Sequence, residues 1–192
     1  MEIVNKRQWK INKILHYILR ERFRKKIEFN FPKNVDRWNL INEVINIKNF
    51  SSYLEIGCDN DDAFSKIKLK DKIGVDPHSG GNFRGTSDLF FQQNNKKFDC
   101  IFIDGLHEYD QVNKDILNSI DSLNENGIIL LHDCLPKSMN QQAVPRFQWV
   151  WNGDVWKSIV KFRCRNDLDI VTCKIDHGIS IIRKINNKDL LL

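Results

Sequence analysis

Two places in the sequence bring a histidine and an aspartate close together: Asp104-Gly105-Leu106-His107 and His132-Asp133. A histidine near its unperturbed pKa of about 6.5 can take a hydroxyl proton at neutral pH. The plainer alternative is a hydrogen-bonded network that fixes loops and touches no substrate. Both pairs close an apolar run, Phe98–Ile103 in the first case and Gly127–Leu131 in the second. Two separate runs delivering the same residue types favour the catalytic reading. Tyr53-Leu54-Glu55-Ile56-Gly57 and Ile73-Gly74-Val75-Asp76 have the same format, an apolar run ending on a glycine or an acid.

Runs this uniformly apolar read as strands buried on both faces of a parallel sheet, and ligands in such sheets lie beyond the carboxyl ends of the strands. The expected order from Ser52 is strand 53–57, helix 62–68, strand 72–76, a loop through Gly80-Gly81, a short strand near 82–85 and a short helix 87–93. Strand 98–103, helix 109–123 and strand 127–132 follow, with Asn126-Gly127 ending the helix. Such alternation is the pattern of right-handed βαβ units. After Pro136 come a polar loop, a tryptophan-rich segment (Trp149, Trp151, Trp156) and a helix over 154–163. Two β-branched runs, 168–175 and 178–185, are separated by only Asp176-His177, which demands an antiparallel hairpin.

At 192 residues the chain fits one domain with a sizeable core. Its five cysteines are scattered without Cys-x-x-Cys spacing, which argues against a disulfide framework or a structural zinc site and suits a reducing cytoplasm. No run approaches the roughly 20 apolar residues of a membrane span, and the start lacks a signal peptide's apolar stretch. The net charge of +5 is concentrated early: Lys6, Arg7, Lys10, Lys13, Arg20, Arg22, Arg24, Lys25 and Lys26 precede residue 30, against Glu2, Glu21 and Glu28. From about Gln8 to Ile27, Ile11, Leu15, Ile18 or Leu19, Phe23 and Ile27 recur at helical spacing between these cations. The expectation is an amphipathic helix packing its apolar side on the domain; the minority readings are a membrane-surface, nucleic-acid or partner-binding helix. A second helix is expected from near Asn34 or Asp36, carrying Trp38, Leu40, Ile41, Val44 and Ile45.

Leu54-Glu55-Ile56-Gly57, Gly74-Val75-Asp76-Pro77 and the stretch Phe98 to Tyr109, followed by the terminal hairpin, resemble class I S-adenosylmethionine-dependent methyltransferases over roughly Asn34 to Lys184. With His132-Asp133, the pattern looks like the branch of small O-methyltransferases. The fold this implies is α/β: a Rossmann-like, doubly wound, mostly parallel seven-stranded sheet ending in an antiparallel hairpin. A basic helical extension, residues 1–33, would precede a methyltransferase domain, residues 34–192.

The resemblance implies roles position by position. Asp76 would accept hydrogen bonds from the ribose hydroxyls, its plainer reading being a turn cap before Pro77. Glu55 and Gly57 would lie in the loop under the methionine part, Ser87 and Asp88 near the adenine, with a helix cap the equal alternative for Ser87, and Asp104 and Leu106 beside the adenosine. Where the family has further glycines, this chain has Cys58-Asp59-Asn60-Asp61-Asp62; Asn and Asp tolerate left-handed backbone, and Asp62 could cap the following helix. Asp104 and Asp133 match acids that bind a divalent cation such as Mg²⁺, and adding His132 would shift preference towards Mn²⁺, Fe²⁺ or another transition ion. His107 stands at the place of the family's general base. Trp149, Trp151 and Arg146 fall in the region that shapes the acceptor pocket, where aromatic faces suit a saccharide or ring. His16, His78 and His177 read as structural or surface residues.

The reading is therefore methyl transfer to a hydroxyl oxygen of a small molecule or saccharide. No nucleic-acid partner is expected, weak membrane-surface association through residues 6–27 stays open, and an oligomer is compatible. The alternatives are a non-catalytic module acting through its basic helix, and a nicotinamide-dependent oxidoreductase, which the missing glycine fingerprint disfavours.

Overall fold

The computed structural model describes residues 5–19 and 27–191. Seven strands form one sheet in the order β3-β2-β1-β4-β5-β7-β6. They are β1 (Ser52–Ile56), β2 (Asp71–Asp76), β3 (Phe83–Arg84), β4 (Phe98–Ile103), β5 (Leu123–Leu131), β6 (Asp169–Cys173) and β7 (Ile179–Arg183). Strands β1 to β5 pair in parallel, and β7 runs antiparallel to both β5 and β6. The chain order reverses between β1 and β4, so the crevice beyond their carboxyl ends is where a ligand site is expected in such a sheet.

Among the described residues the α-helices are α1 (Lys6–Leu19), α2 (Arg37–Lys48), α3 (Ser87–Gln93), α4 (Tyr109–Asp121) and α5 (Val155–Phe162). Side-chain alternation along the strands divides the core in two. Leu54, Ile56, Ile101, Ile103, Ile129 and Leu131 pack with Phe90, Val112, Ile116, Ile159 and Phe162 of α3, α4 and α5. Tyr53, Cys100, Phe102, Ile128 and Leu130 face the other way, onto Ile41 and Ile45 of α2. Helix α2 starts as expected, with Asp36 before it and the Asn39 side chain accepting the Asp36 backbone N–H at 2.9 Å.

Three local expectations are corrected. In place of a helix over 62–68, turns lead into one 3₁₀ turn, Phe64–Lys66, so Asp62 caps no helix. Strand β5 begins at Leu123 and runs through Asn126-Gly127; Asn126 takes a left-handed φ of 62° within the strand. Helix α1 does not bury its apolar side, and the basic residues 20–26 lie outside the described residues. It rests on the domain through Asn12, whose Nδ2 donates to the Arg146 carbonyl at 2.8 Å, and His16, 3.0 Å from the Pro145 carbonyl, while Trp9 meets the Trp149 ring edge-on. Ile11, Ile14, Leu15, Ile18 and Leu19 are exposed. Among the described residues no helix is long and apolar enough to cross a membrane.

Candidate active site

A cavity of about 640 Å³ opens beyond the carboxyl ends of β1, β2 and β4. That lies within the roughly 300–1,000 Å³ of small-molecule sites. Gly57, Asp76, Ser87, Asp88, Asp104, Leu106 and His107 line it, and Arg146, Trp149 and Trp151 form its further wall.

On the β1–β2 side the backbone is drawn tightly around one carboxylate. Asp76 Oδ2 accepts from the N–H groups of Cys58 (3.2 Å) and Asp59 (3.0 Å), and Oδ1 from those of His78 (2.8 Å) and Ser79 (2.9 Å). Burial alone would raise the Asp76 pKa, but these four N–H groups prevail and lower it. The turn forms without the family's extra glycines because Asp59 (φ 43°) and Asp61 (φ 62°) take left-handed conformations, and Asp61 Oδ1 accepts the Gly81 N–H at 2.6 Å. Gly57, at φ 86°, is required by a close backbone approach as well: a Cβ there would stand 2.3 Å from the Asp104 carbonyl oxygen. The glycine lets the β1 loop lie against the tip of β4.

On the β4–β5 side the charges face one another. His107 Nδ1 lies 3.1 Å from Asp133 Oδ2 and 3.1 Å from the Trp151 carbonyl, and its Nε2 lies 3.4 Å from Asp104 Oδ1. Burial disfavours the imidazolium, yet the two carboxylates outweigh it and raise the His107 pKa. Asp104 is pushed the opposite way: burial would raise it, but His132, His107 and Arg37 hold its carboxyl far below the usual range. One atom from each of Asp104, His107 and Asp133 lies within 4.8 Å of the others, and two carboxylates with an imidazole suit a divalent transition ion.

His132 belongs to the layer behind. Its Nδ1 is 2.9 Å from Asp104 Oδ1, whereas its Nε2 is turned away, towards Arg37 Nη1 (3.3 Å) and Asp176 Oδ1 (3.7 Å). The described residues that could hold an ion together are Asp104, His107 and Asp133, and His132, which the sequence also suggested, lies behind them against Asp104. Burial opposes charge on His132, but Asp104 and Asp133 raise its pKa well above the usual value.

Glu55 does not reach the cavity. Strand alternation puts it on the same face as Tyr53, where it is 1% exposed and accepts the Tyr53 hydroxyl proton at 2.6 Å. Burial raises its carboxyl pKa to about 8. Ser87 and Asp88 do line the cavity, tied there by Gln111 Nε2, which donates to Ser87 Oγ (3.2 Å) and Asp88 Oδ1 (2.9 Å), while the cap of α3 is Thr86. Trp151 stacks on the His107 ring (centroids 5.4 Å, 28°) and its Nε1 donates to the Ala143 carbonyl. Arg146 stands 5.4 Å from the Trp151 ring and 5.8 Å from that of Trp149, its Nε and Nη2 donating to the carbonyls of Gln148 and Trp149.

Sequence reasoning missed Arg37, Asp176 and Gln111. Arg37 Nη1 and Asp176 Oδ2 pair at 3.3 Å behind Asp104, and Asn152 Nδ2 donates to Asp133 Oδ1 at 2.7 Å. Nothing in the local sequence marks the three missed residues. His78, read as a structural or surface residue, is exposed and stands at the cavity lining.

Residues 55–134 match the family described as "Methyltransferase domain". Against curated proteins the sequence finds no match. The fold is that of Rossmann-like methyltransferases. A Podospora anserina methyltransferase, PaMTH1, solved with S-adenosylhomocysteine bound, superposes with a TM-score of 0.62 at 15% identity, covering 96% of this chain and 89% of its own. A putative O-methyltransferase from Klebsiella pneumoniae gives 0.62 at 11% identity, covering 94% and 99%. The O-methyltransferase TomG of Streptomyces achromogenes, in complex with S-adenosylmethionine, gives 0.59 at 9% identity, covering 96% and 100%.

Proposed function

We propose that the chain is an S-adenosylmethionine-dependent O-methyltransferase acting on a small hydroxylated acceptor, saccharides included. The observation that carries this reading is His107, held between Asp104 and Asp133 and lining the same cavity as Gly57, Asp76, Ser87 and Asp88. The ligands bound by the Podospora and Streptomyces neighbours support it. When bound, the sulfonium supplies an electrophilic methyl group. Asp59, Asp76 and Asp104 line the cavity and favour a cation within it. Trp149 and Trp151 line the cavity and offer aromatic surface to the acceptor. As the acceptor oxygen forms its new bond to carbon and the sulfur–carbon bond breaks, the hydroxyl proton passes to neutral His107. His107 therefore works only after giving up the proton it holds between the two carboxylates.

Asp104, His107 and Asp133 would hold a divalent cation, which would supply Lewis-acid polarisation of the acceptor oxygen. In that case His107 serves as a ligand and binding the ion displaces its proton. We place the protein in the cytoplasm because its five cysteines are all unpaired.

One observation favours a second reading, a non-catalytic module: the four acceptor positions of Asp76 already hold backbone N–H groups, so its oxygens reach ribose hydroxyls only by sharing them. Calorimetric titration with S-adenosylmethionine separates the two. Saturable binding is expected, and no heat at millimolar ligand would leave the module. With binding shown, transfer should fall on exhaustive chelation and return with Mn²⁺; activity untouched by chelation would remove the ion and leave His107 as base.

A further inference from the structure

Helix α1 has three stripes, set by 100° per residue. Trp9, Asn12 and His16 form the edge that touches the domain. Lys6, Lys10 and Lys13 form a second, exposed edge. Between them, on the side turned away from the domain, stand Ile11, Ile14, Leu15 and Ile18, with exposures running from 43% at Ile11 to 68% at Ile18. The helix contains no acidic residue, and Arg7 stands within the outward side. Because Asn12 is bonded to the Arg146 carbonyl, α1 cannot roll its aliphatic stripe onto the domain without breaking that contact.

We propose that α1 lies in the headgroup region of an anionic lipid surface. Two properties of the stripe choose this occupant. Branched aliphatic side chains projecting beside a row of ammonium groups match a surface that is apolar beneath and negative at its face. A second copy of this chain meets the first requirement but not the second, since either packing of two such stripes would set Arg7 and the lysine edge of one helix against a second helix that has no acidic residue to meet them. A nucleic-acid backbone meets the second but offers nothing to four isoleucine and leucine side chains. The sequence from Arg20 to Lys26 adds five cations against the single acid Glu21, which reinforces the sign of the charge. The same helix holds Pro145 and Arg146, so it ties the lipid contact to the wall of the cavity.

Co-sedimentation of the full chain with vesicles tests this. Binding should be at least about tenfold stronger to phosphatidylcholine vesicles containing phosphatidylserine than to phosphatidylcholine alone, and should weaken with added salt. Ile14→Asp with Ile18→Asp should abolish binding, and Lys6→Glu with Lys10→Glu should remove the lipid selectivity. These positions are exposed and lie outside the cavity, so thermal stability and S-adenosylmethionine affinity should be unchanged. No binding to either vesicle, or equal binding to both, overturns the proposal. So does a dimer in light scattering that Ile14→Asp with Ile18→Asp dissolves, because the stripe would then belong to a second copy.

Discussion

The two sides of the cavity are built on opposite electrostatic plans. On the β1–β2 side, Asp76 is surrounded by four backbone N–H groups, which are fixed dipoles that do not titrate in the working pH range. On the β4–β5 side, Asp104, His107, Asp133, His132, Arg37 and Asp176 are paired side chain to side chain, and several of them can gain or lose a proton. A carboxylate held by backbone shapes a loop at every pH above its lowered pKa. A carboxylate held by an imidazole can take part in chemistry, and its surroundings change with pH. The first side suits recognition, the second reaction.

The largest effect should come from the reactive side. His107→Ala is expected to lower methyl transfer by about 10²–10⁴-fold while S-adenosylmethionine affinity stays as it was. Parallel loss of both would make the two sides one unit and erase the distinction.

Next in size is a change on the recognition side. Asp76→Ala strips the acceptor from four N–H groups, that of Cys58 at a buried position, and should destabilise the protein by about 2–4 kcal/mol in urea unfolding and weaken cofactor binding. Unchanged stability would mean that the loops stand without the carboxylate.

A third experiment compares the sides by pH. Because the His107 pKa is raised, the rate should climb with pH through a midpoint above 6.5, its usual value. The stabilisation from its ion pairs is complete below 6.5 and is lost as pH rises through the higher folded-state value. A rate profile flat from pH 6 to 9, measured at saturating cofactor, would sink the base role and the ligand role alike.

The smallest effect concerns Glu55, behind both sides. Its carboxyl is raised from 4.5 to about 8, so folding must keep it protonated and the native state loses stability as pH rises from 4.5 to about 8. Glu55→Gln should keep the Tyr53 hydrogen bond and flatten that part of the stability profile, without changing cofactor affinity. A loss of affinity in that variant would return Glu55 to the binding loop.

Periodicity and composition by themselves determined a great deal here. The apolar runs at 53–57, 72–76, 98–103 and 127–132 have no stable place except inside a covered parallel sheet, and the two-residue gap at Asp176-His177 leaves only an antiparallel hairpin. Strand ends are also readable in sequence, which is why Asp76, Asp104 and His107 could be expected at one cavity before any coordinates. Tertiary structure alone decided which way each side chain points and what meets it there. Glu55 lies one pleat out of step with the cavity, His132 turns its second nitrogen towards Arg37 and Asp176 from remote parts of the chain, and α1 presents aliphatic residues to the outside because Asn12, His16 and Trp9 reach the 145–149 segment first. The reason is physical: local sequence fixes the period of an element, whereas its rotation and long-range partners depend on surfaces that exist only once the chain has packed.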